Sequence, residues 1–180
     1  AANRRHCSVE IVDLRRFAST GKHTIELKST GDADVSYQLV TTHWVPWKTP
    51  ERGSLGLDVS YASTAIAPGS TTLLKARLTW SGKLPAVMPL VEIPIPPSFD
   101  VETDDLEALL KDPDGIQRYT VGGGKITLYV TAIRADKPLT VGVRLRALRS
   151  AKVVAPASVA YLYYEPEVRT ESAPVLVRAL

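Results

Sequence analysis

The chain has very little of the chemistry that marks most enzymes and metalloproteins. Its 180 residues include one cysteine and three histidines. The single cysteine, Cys7, excludes an internal disulfide framework and a cysteine-based zinc cluster. The histidines His6, His23 and His43 are scattered and do not have the spacing of metal ligands. We therefore predict that the chain binds neither a metal nor a cofactor.

Nucleophilic catalysis is also poorly supported by the sequence. It needs a nucleophile held beside a base, usually with donors for an oxyanion. The chain contains no Gly-x-Ser-x-Gly run, and its one adjacent nucleophile and base are Cys7 and His6. Neighbouring residues of an extended strand point to opposite faces, which argues against a catalytic dyad. We predict that the chain is not an enzyme, with a hydrolase kept as the minor alternative.

Long apolar runs and a large charge of one sign are missing as well. No run of about eighteen apolar residues occurs, so we predict no membrane-spanning helix. The 22 basic residues nearly balance the 19 acidic ones, which leaves a formal net charge of +3. A nucleic-acid surface needs a basic stripe interleaved with stacking aromatics. We therefore expect no nucleic-acid partner and assign Arg144 and Arg146 to a solvated or protein-contacting face.

Short segments of alternating apolar and polar residues recur along the whole chain. In the clearest of them, Val141, Val143 and Leu145 alternate with glycine and arginine, the period of a strand with one buried face. Gly, Pro, Asp and Ser turns separate the segments, which predicts an antiparallel β-sandwich rather than βαβ units. The predicted strands are 8–14, 22–28, 35–45, 55–61, 74–80, 87–95, 116–121, 125–130, 139–147 and a last one that begins at Tyr161.

Acidic residues crowd around the one predicted helix, Thr103–Lys111. Thr103 fits the N-cap position, and Asp104 and Asp105 lie in the first turn, where the helix dipole favours anions. Such a cluster could bind calcium, but its spacing is not that of an EF-hand loop, and capping accounts for it. We therefore predict a structural helix, with leucines at helical spacing packed on the sandwich.

A polar break at 48–53 divides the chain. It contains both proline and glycine, which are frequent in linkers between domains. We predict two parts: a partial sheet over 1–50 and a complete sandwich over 51–180. Because three strands rarely form a stable sheet alone, the first part needs something else to cover it.

Five sequence elements follow one another in order through the second part. They are Val-Glu-Ile-Pro-Ile-Pro-Pro-Ser-Phe (91–99), the acidic helix, a hairpin around Gly122–Gly124, the Leu-Arg-Ala-Leu strand, and Tyr-Leu-Tyr-Tyr-Glu-Pro-Glu from Tyr161. This order resembles the C-terminal receptor-binding domain of the α2-macroglobulin and complement family, especially its bacterial members. The resemblance implies a macroglobulin-type sandwich with one helix, preceded by the second half of a CUB-like sandwich over residues 8 to about 48.

The resemblance also implies a role for a larger parent protein. In this family a thioester-bearing helical domain is inserted into the CUB sandwich, and the parent inhibits proteases by covalent, conformational entrapment. The family's Gly-Cys-Gly-Glu-Gln context is absent here, and Cys7 has no glutamine near it. The implied role is non-catalytic scaffolding in the periplasm or outside the cell. Its partners would be the thioester domain and the upstream CUB half, with target proteases as indirect partners.

Several side chains are predicted to contact other domains. For the aromatic ones, core packing and interdomain wedging are favoured, and the alternative is a stand-alone adhesin or carbohydrate- or peptide-binding module. In vertebrate relatives, lysines on the exposed helix engage an endocytic receptor; the single lysine of this helix argues against such binding. The predicted interface residues are Trp44, Trp47, Lys111, Arg144, Arg146 and Tyr164.

Overall fold

The computed structural model describes residues 9–17, 19–31, 35–42, 46–48, 51, 53–112 and 115–180. The chain divides into two units, Ala1–Val45 and Pro46–Leu180. Within the described residues, regular secondary structure lies in the second unit. Its elements are β1 (Leu55–Tyr61), β2 (Ala65–Ile66), β3 (Thr71–Trp80), β4 (Ala86–Val87), β5 (Pro89–Pro94), β6 (Phe99–Val101), α1 (Thr103–Leu109), β7 (Ile116–Gly122), β8 (Lys125–Val130), β9 (Ala132–Ile133), β10 (Leu139–Ala147), β11 (Ala151–Ala155), β12 (Val159–Leu162), β13 (Arg169–Glu171) and β14 (Val175–Ala179).

The strands of the second unit form two large sheets and two small ones. One large sheet has the order β1-β3-β10-β6, and the other has the order β13-β12-β5-β8-β7. A three-stranded sheet, β11-β14-β2, and the pair β4-β9 complete the unit. All pairings are antiparallel except that of β14 with β2, which is parallel. The predicted fold class, a mainly β antiparallel architecture with one short helix, is confirmed.

The core lies between the inner faces of the two large sheets. Along β10, Val141, Val143 and Leu145 are buried, whereas Arg144 and Arg146 are exposed, so the period-2 prediction is confirmed. Apolar side chains of β1, β3 and β10 meet those of β5 and β8 around one small cavity. Burial of such side chains is the main favourable term in folding.

Two sequence-predicted details of the five-stranded sheet are confirmed. The hairpin forms between β7 and β8, with Gly122 opposite Lys125, so that Gly123 and Gly124 make a two-residue turn. Both turn glycines have positive φ, 59° and 73°, as hairpin turns of this length require. β5, from the nearly continuous apolar run, is central in its sheet, between β12 and β8.

The predicted continuous strand 87–95 is interrupted at Met88. Before this residue β4 pairs with β9, and after it β5 pairs with β8. Met88 has φ of 50° and donates its N–H to the carbonyl of Thr131 at 3.1 Å. The left-handed backbone at this residue lets the chain change partners, a feature that apolar content alone does not predict.

The helix starts as predicted at Thr103, but its N-cap is different. Glu102 is the N-cap, is extended, and makes no capping hydrogen bond with its side chain. Its N–H donates to the carbonyl of Arg144 at 2.9 Å, which holds it in the extended chain beside β10. The prediction of Thr103 as N-cap is therefore wrong because a contact with β10 fixes the helix start.

The first unit shows no regular strand in its described residues. The predicted strands 8–14, 22–28 and 35–45 are therefore wrong wherever the structure describes them. A strand needs a partner for its main chain, and none of these segments has one among the described residues. Large apolar side chains are consequently exposed: Val9, Ile11, Ile25, Leu27, Val35, Tyr37, Leu39 and Val40. The identity of this region as a CUB half and the boundary at residue 50 stay predictions.

Core burial predicts a large difference between two leucine substitutions. Leu128 is 0% exposed in β8, whereas Leu110 is 43% exposed at the helix C-cap. Leu128→Ala should lower the free energy of unfolding by about 3 kcal/mol, since it removes buried contacts and leaves a cavity. Leu110→Ala should cost less than about 1 kcal/mol. Urea titration followed by circular dichroism measures both, and equal losses would contradict the assigned core.

Candidate interaction surfaces

Four of the predicted interface residues, Lys111, Arg144, Arg146 and Tyr164, lie on two surfaces of the second unit. The first, the helix–arginine surface, consists of α1 with the outward arginines of β10. Nη2 of Arg144 lies 2.7 Å from Oδ1 of Asp105, and the Arg144 main-chain N–H donates to Oδ2 at 2.8 Å. Nε of Arg146 donates to Oε1 of Glu102 at 2.7 Å. Both arginines therefore hold the helix on the sheet.

The ion pair at the helix–arginine surface is asymmetric. The carboxylate of Asp105 is 19% exposed, whereas the guanidinium side chain of Arg144 is 53% exposed. Hydrogen bonding from the Arg144 side chain lowers the pKa of Asp105, and the same bond raises the pKa of Arg144. Since the charge of each arginine is largely balanced by a carboxylate, these cations act within the domain before they serve any partner.

Lys111 lies just beyond α1 and is exposed. Around it the helix presents Asp104 and Glu107, which are also exposed. The helix–arginine surface therefore offers more carboxylates than free ammonium groups. This balance agrees with the sequence-based argument against lysine-mediated receptor binding, although no contact tests it.

The second surface is the tyrosine groove, which has a volume of about 470 Å³. Its walls are mostly apolar, with one basic and one acidic side chain at the rim. They come from the end of β3, the loop that follows, β4, and the turn after β12. The lining residues are Trp80, Lys83, Leu84, Pro85, Ala86, Val87, Leu162, Tyr164 and Glu165.

One wall of the groove is built on Trp80. Its indole Nε1 donates to the carbonyl of Leu84 at 2.7 Å, which fastens the loop after β3 to the ring. Gly82 lies so close to the indole that a Cβ there would collide with Nε1, Cε2 and Cζ2. The loop therefore needs glycine at this position to fold over Trp80.

Tyr164 also lines the groove, and its ring contacts that of Tyr163. The rings of Tyr163 and Tyr164 meet edge to face, with centroids 5.1 Å apart and an interplanar angle of 88°. The main-chain N–H of Tyr163 donates to the carbonyl of Met88 at 3.1 Å, which ties the segment after β12 to the break between β4 and β5. Both rings remain exposed, Tyr164 at 70%.

The last predicted strand, which begins at Tyr161, is wrong in its extent. Strand alternation would put Tyr161 and Tyr163 on one face and Tyr164 on the other, but β12 ends at Leu162. A turn follows, in which the N–H of Glu165 donates to the carbonyl of Leu162 at 3.3 Å. Both later tyrosines therefore leave the sheet, whereas the Tyr161 hydroxyl donates to Glu92 at 3.4 Å on the outer face.

Of the residues that line the groove, the sequence predicted only Tyr164 as an interface residue, and neither predicted tryptophan is placed there. Trp80 and Leu84 were assigned no site role; the signal was a tryptophan two residues before a glycine. Trp47 is 37% exposed and does not line the groove, and Trp44 lies outside the described residues.

The part of the chain that the structure describes was predicted to hold no metal site, and no candidate cluster is found there. Within those residues, no three His, Cys, Asp or Glu side chains are grouped closely enough to hold a metal ion. No helix of the described residues is long and apolar enough to cross a bilayer. Cys7, His6 and His43 lie outside the described residues, so the argument against a dyad there stays a prediction.

The ion pair of Asp105 predicts a pH-dependent contribution to stability. Because its pKa is lower in the folded chain than the roughly 3.9 of an unfolded chain, the contribution is present above pH 4 and is lost as the pH falls through the folded value. Asp105→Asn should lower Tm by about 2 °C at pH 7 and have almost no effect near pH 2.

Asp136→Asn is the matched control for this pH dependence. Asp136 pairs with Arg134, only two residues away, so this pair can also form in the unfolded chain. Its replacement should change Tm little at either pH. Scanning calorimetry measures all four values, and an Asp105→Asn loss that does not change with pH would contradict the assigned ion pair.

Comparison with known proteins supports the β fold and finds a family match within the second unit. Residues 85–173 match the family model described as the A-macroglobulin receptor binding domain. These residues contain most of the tyrosine groove and the whole helix–arginine surface. No curated protein sequence matches the chain significantly.

Solved structures of bacterial proteins share the fold. Native alpha-2-macroglobulin from Escherichia coli, from domain MG7 to the C-terminus, matches with a TM-score of 0.60 and 16% identity, over 72% of this chain and 24% of that chain. The Escherichia coli protein activated by porcine elastase matches with a TM-score of 0.60 and 16% identity, over 73% of this chain and 14% of that chain. Salmonella alpha-2-macroglobulin reacted with methylamine matches with a TM-score of 0.56 and 15% identity, over 74% of this chain and 10% of that chain.

These structural matches show the fold, and the chain spans a quarter or less of each of those three proteins. The family match adds the domain type. The matched residues include β10 of the four-stranded sheet, β5 and β8 of the five-stranded sheet, and α1. The family match and the shared fold together support a macroglobulin-type domain in this chain, of the kind described as the A-macroglobulin receptor binding domain, over residues 85–173.

Proposed function

We propose that this chain is the non-catalytic C-terminal region of a longer α2-macroglobulin-like protein, in which it serves as an interaction domain for the rest of that protein. The observation that carries this proposal is the family match over residues 85–173. The small share of each structural relative that the chain covers supports a longer parent. The tyrosine groove supplies the surface for the interaction.

The groove has the composition of a protein–protein contact. Three of its lining residues are largely exposed, Leu84 at 79%, Tyr164 at 70% and Val87 at 58%, and Tyr163, whose ring contacts Tyr164, is 54% exposed. Exposed apolar patches with polar rims mark interaction sites, and aromatic residues are enriched at the centres of interfaces. The main-chain hydrogen bond from Tyr163 to the carbonyl of Met88 ties the tyrosine turn to the strand break, beside Val87 of the groove wall.

The structural relatives supply an analogy for what the parent does. The Escherichia coli protein is activated by porcine elastase, and the Salmonella protein reacts with methylamine. By analogy, the parent of this chain inhibits proteases by trapping them through a conformational change. The tyrosine groove docks against its thioester domain, and proteases are indirect partners. Such a protein acts in the periplasm or outside the cell.

The first 50 residues have their own place in this proposal. Their described apolar side chains are exposed and have no partner strand among the residues that the structure describes, as expected for half of a CUB-like sandwich. The upstream half would cover them and complete the ladders. The chain would then consist of a CUB-derived part, 1–50, and a receptor-binding-type sandwich, 51–180, joined at the polar hinge 48–53.

A stand-alone binding module is the second candidate function. The groove volume lies within the range of small-ligand sites, and its aromatic walls suit a sugar or a peptide side chain. This candidate predicts that a ligand binds the groove of the isolated chain with no other domain present.

Radical footprinting distinguishes the two candidates. Tyr164 and Leu84 should be labelled strongly in the isolated chain, weakly in the intact parent protein, and strongly again after the parent reacts with elastase. Tyr129, on the outer face of the five-stranded sheet and outside the groove, provides the internal control for labelling yield. Equal labelling of Tyr164 in all three states would contradict docking of the groove.

A matched pair of substitutions tests the contribution of the groove itself. In the intact parent, Tyr164→Ser should raise the labelling of Leu84 because the docked surface loses an aromatic anchor. Tyr129→Ser should leave it unchanged. In the isolated chain, Tyr164→Ser should change the free energy of unfolding by less than about 0.5 kcal/mol, since the ring is mostly exposed.

A further inference from the structure

The three-stranded sheet β11-β14-β2 leaves one strand edge open. β11 pairs with β14 on one side. In the described part of the chain, no other strand or main-chain hydrogen bond reaches β11. An open edge presents a row of N–H and C=O groups that can accept an extended segment as an added strand.

The hydrogen-bond pattern identifies the groups that face this edge. The N–H of Arg178 in β14 donates at 2.7 Å to the carbonyl that precedes β2, so Arg178 bonds away from β11. Val177 must therefore bond toward β11, because alternate residues of a strand bond to opposite neighbours. Its register partner is Val153. The flanking residues Lys152 and Val154 consequently direct their N–H and C=O groups to the open edge.

Unbalanced positive charge lies beside the open edge. Lys152 is directly opposite Arg178 in the register, in a pair that exchanges no main-chain hydrogen bonds, where side chains approach most closely. Like charges at directly opposed positions destabilise a sheet. Both side chains are exposed, and neither makes an ion pair with a described residue. The strands β2, β11 and β14 contain no acidic residue that would offset the repulsion.

An apolar pair follows this cationic pair along the same sheet face. Val154 is opposite Leu176, and the two are 56% and 40% exposed. Lys152 and Val154 are two residues apart, so they share a face of β11. An added strand would face Lys152 with one side chain and Val154 with the side chain two residues away. Charge complementarity requires the first to be acidic, and the second fits an apolar residue.

We propose that the open edge of β11 binds an extended acidic polypeptide segment as a fourth strand. Its main chain bonds to Lys152 and Val154, one carboxylate lies beside Lys152, and the alternate side chain packs against Val154. The site goes beyond the proposed function because it uses a different sheet from the tyrosine groove. Failure of edge binding would leave groove docking unaffected, and the reverse also holds.

Nuclear magnetic resonance titration of the full 180-residue chain tests this site. The probe is a short peptide of alternating glutamate and valine, and the control is the same peptide with lysine in place of glutamate. We expect the acidic peptide to shift the amide signals of Lys152 and Val154 and to slow their hydrogen exchange, with weaker binding at higher salt. The lysine peptide should do neither.

Charge reversal separates loss of binding from loss of folding. Lys152→Glu should raise Tm by about 2 °C, since it turns a repulsive cross-strand pair into an attractive one. The same variant should weaken peptide binding roughly tenfold. Lys75→Glu reverses the charge of another exposed lysine, on β3 of the four-stranded sheet, and should leave peptide binding unchanged.

Removal of one edge donor tests the added strand directly. Val154→Pro removes an N–H that faces the open edge and none that bonds to β14, and proline is tolerated at such edge positions. Peptide binding should be lost, whereas Val154→Thr should retain it. Thermal unfolding of both variants checks that the sheet still forms.

Four results would overturn the proposal. They are unchanged amides at Lys152 and Val154, equal binding of the lysine peptide, full binding by Lys152→Glu, and binding of phosphatidylglycerol vesicles at this patch in place of the acidic peptide. The last result would assign the cationic and apolar pairs to a membrane surface.

Discussion

Contact between the inner faces of the two large sheets is the constraint on which the rest of this structure depends. The buried side chains of β10 and β3 on one side and of β5 and β8 on the other form one continuous core. Because strand side chains alternate between faces, the same residues that bury Val141 and Leu145 must direct Arg144 and Arg146 outward. The position of the helix follows from this arrangement, since its carboxylates bind those two arginines.

The outer surfaces of the domain differ in how well their charges and apolar groups are satisfied. On the helix–arginine surface each arginine has a carboxylate, and the helix is thereby attached to the sheet. In the tyrosine groove, large apolar side chains remain exposed although main-chain carbonyls hold Trp80 and the tyrosine turn. At the β11 edge, two cations face each other without an anion. A surface that is unsatisfied within the chain indicates where another molecule binds.

Local sequence pattern predicted most of the second unit but not its irregular points. β1, the β7–β8 hairpin and β10 follow from alternation and glycine placement, which depend on neighbouring residues alone. The break at Met88, the Glu102 N-cap and the turn after Leu162 depend on contacts with segments distant in sequence. The tyrosine groove is built at two of these three points, so Tyr164 was recognised as an interface residue without its correct surroundings. The predicted strands before residue 46 had the right alternation, but no pattern within a segment supplies its partner.

Hydrogen exchange of the main-chain amides tests the central claim, that this chain is a folded interaction domain attached to a region completed by upstream sequence. In the isolated chain, we predict strong protection of β3, β5, β8 and β10 and rapid exchange across the described residues of 9–42. In the intact parent protein, the same 9–42 amides should become protected. Equal protection of 9–42 and the sandwich in the isolated chain would contradict the account and favour a self-sufficient binding module.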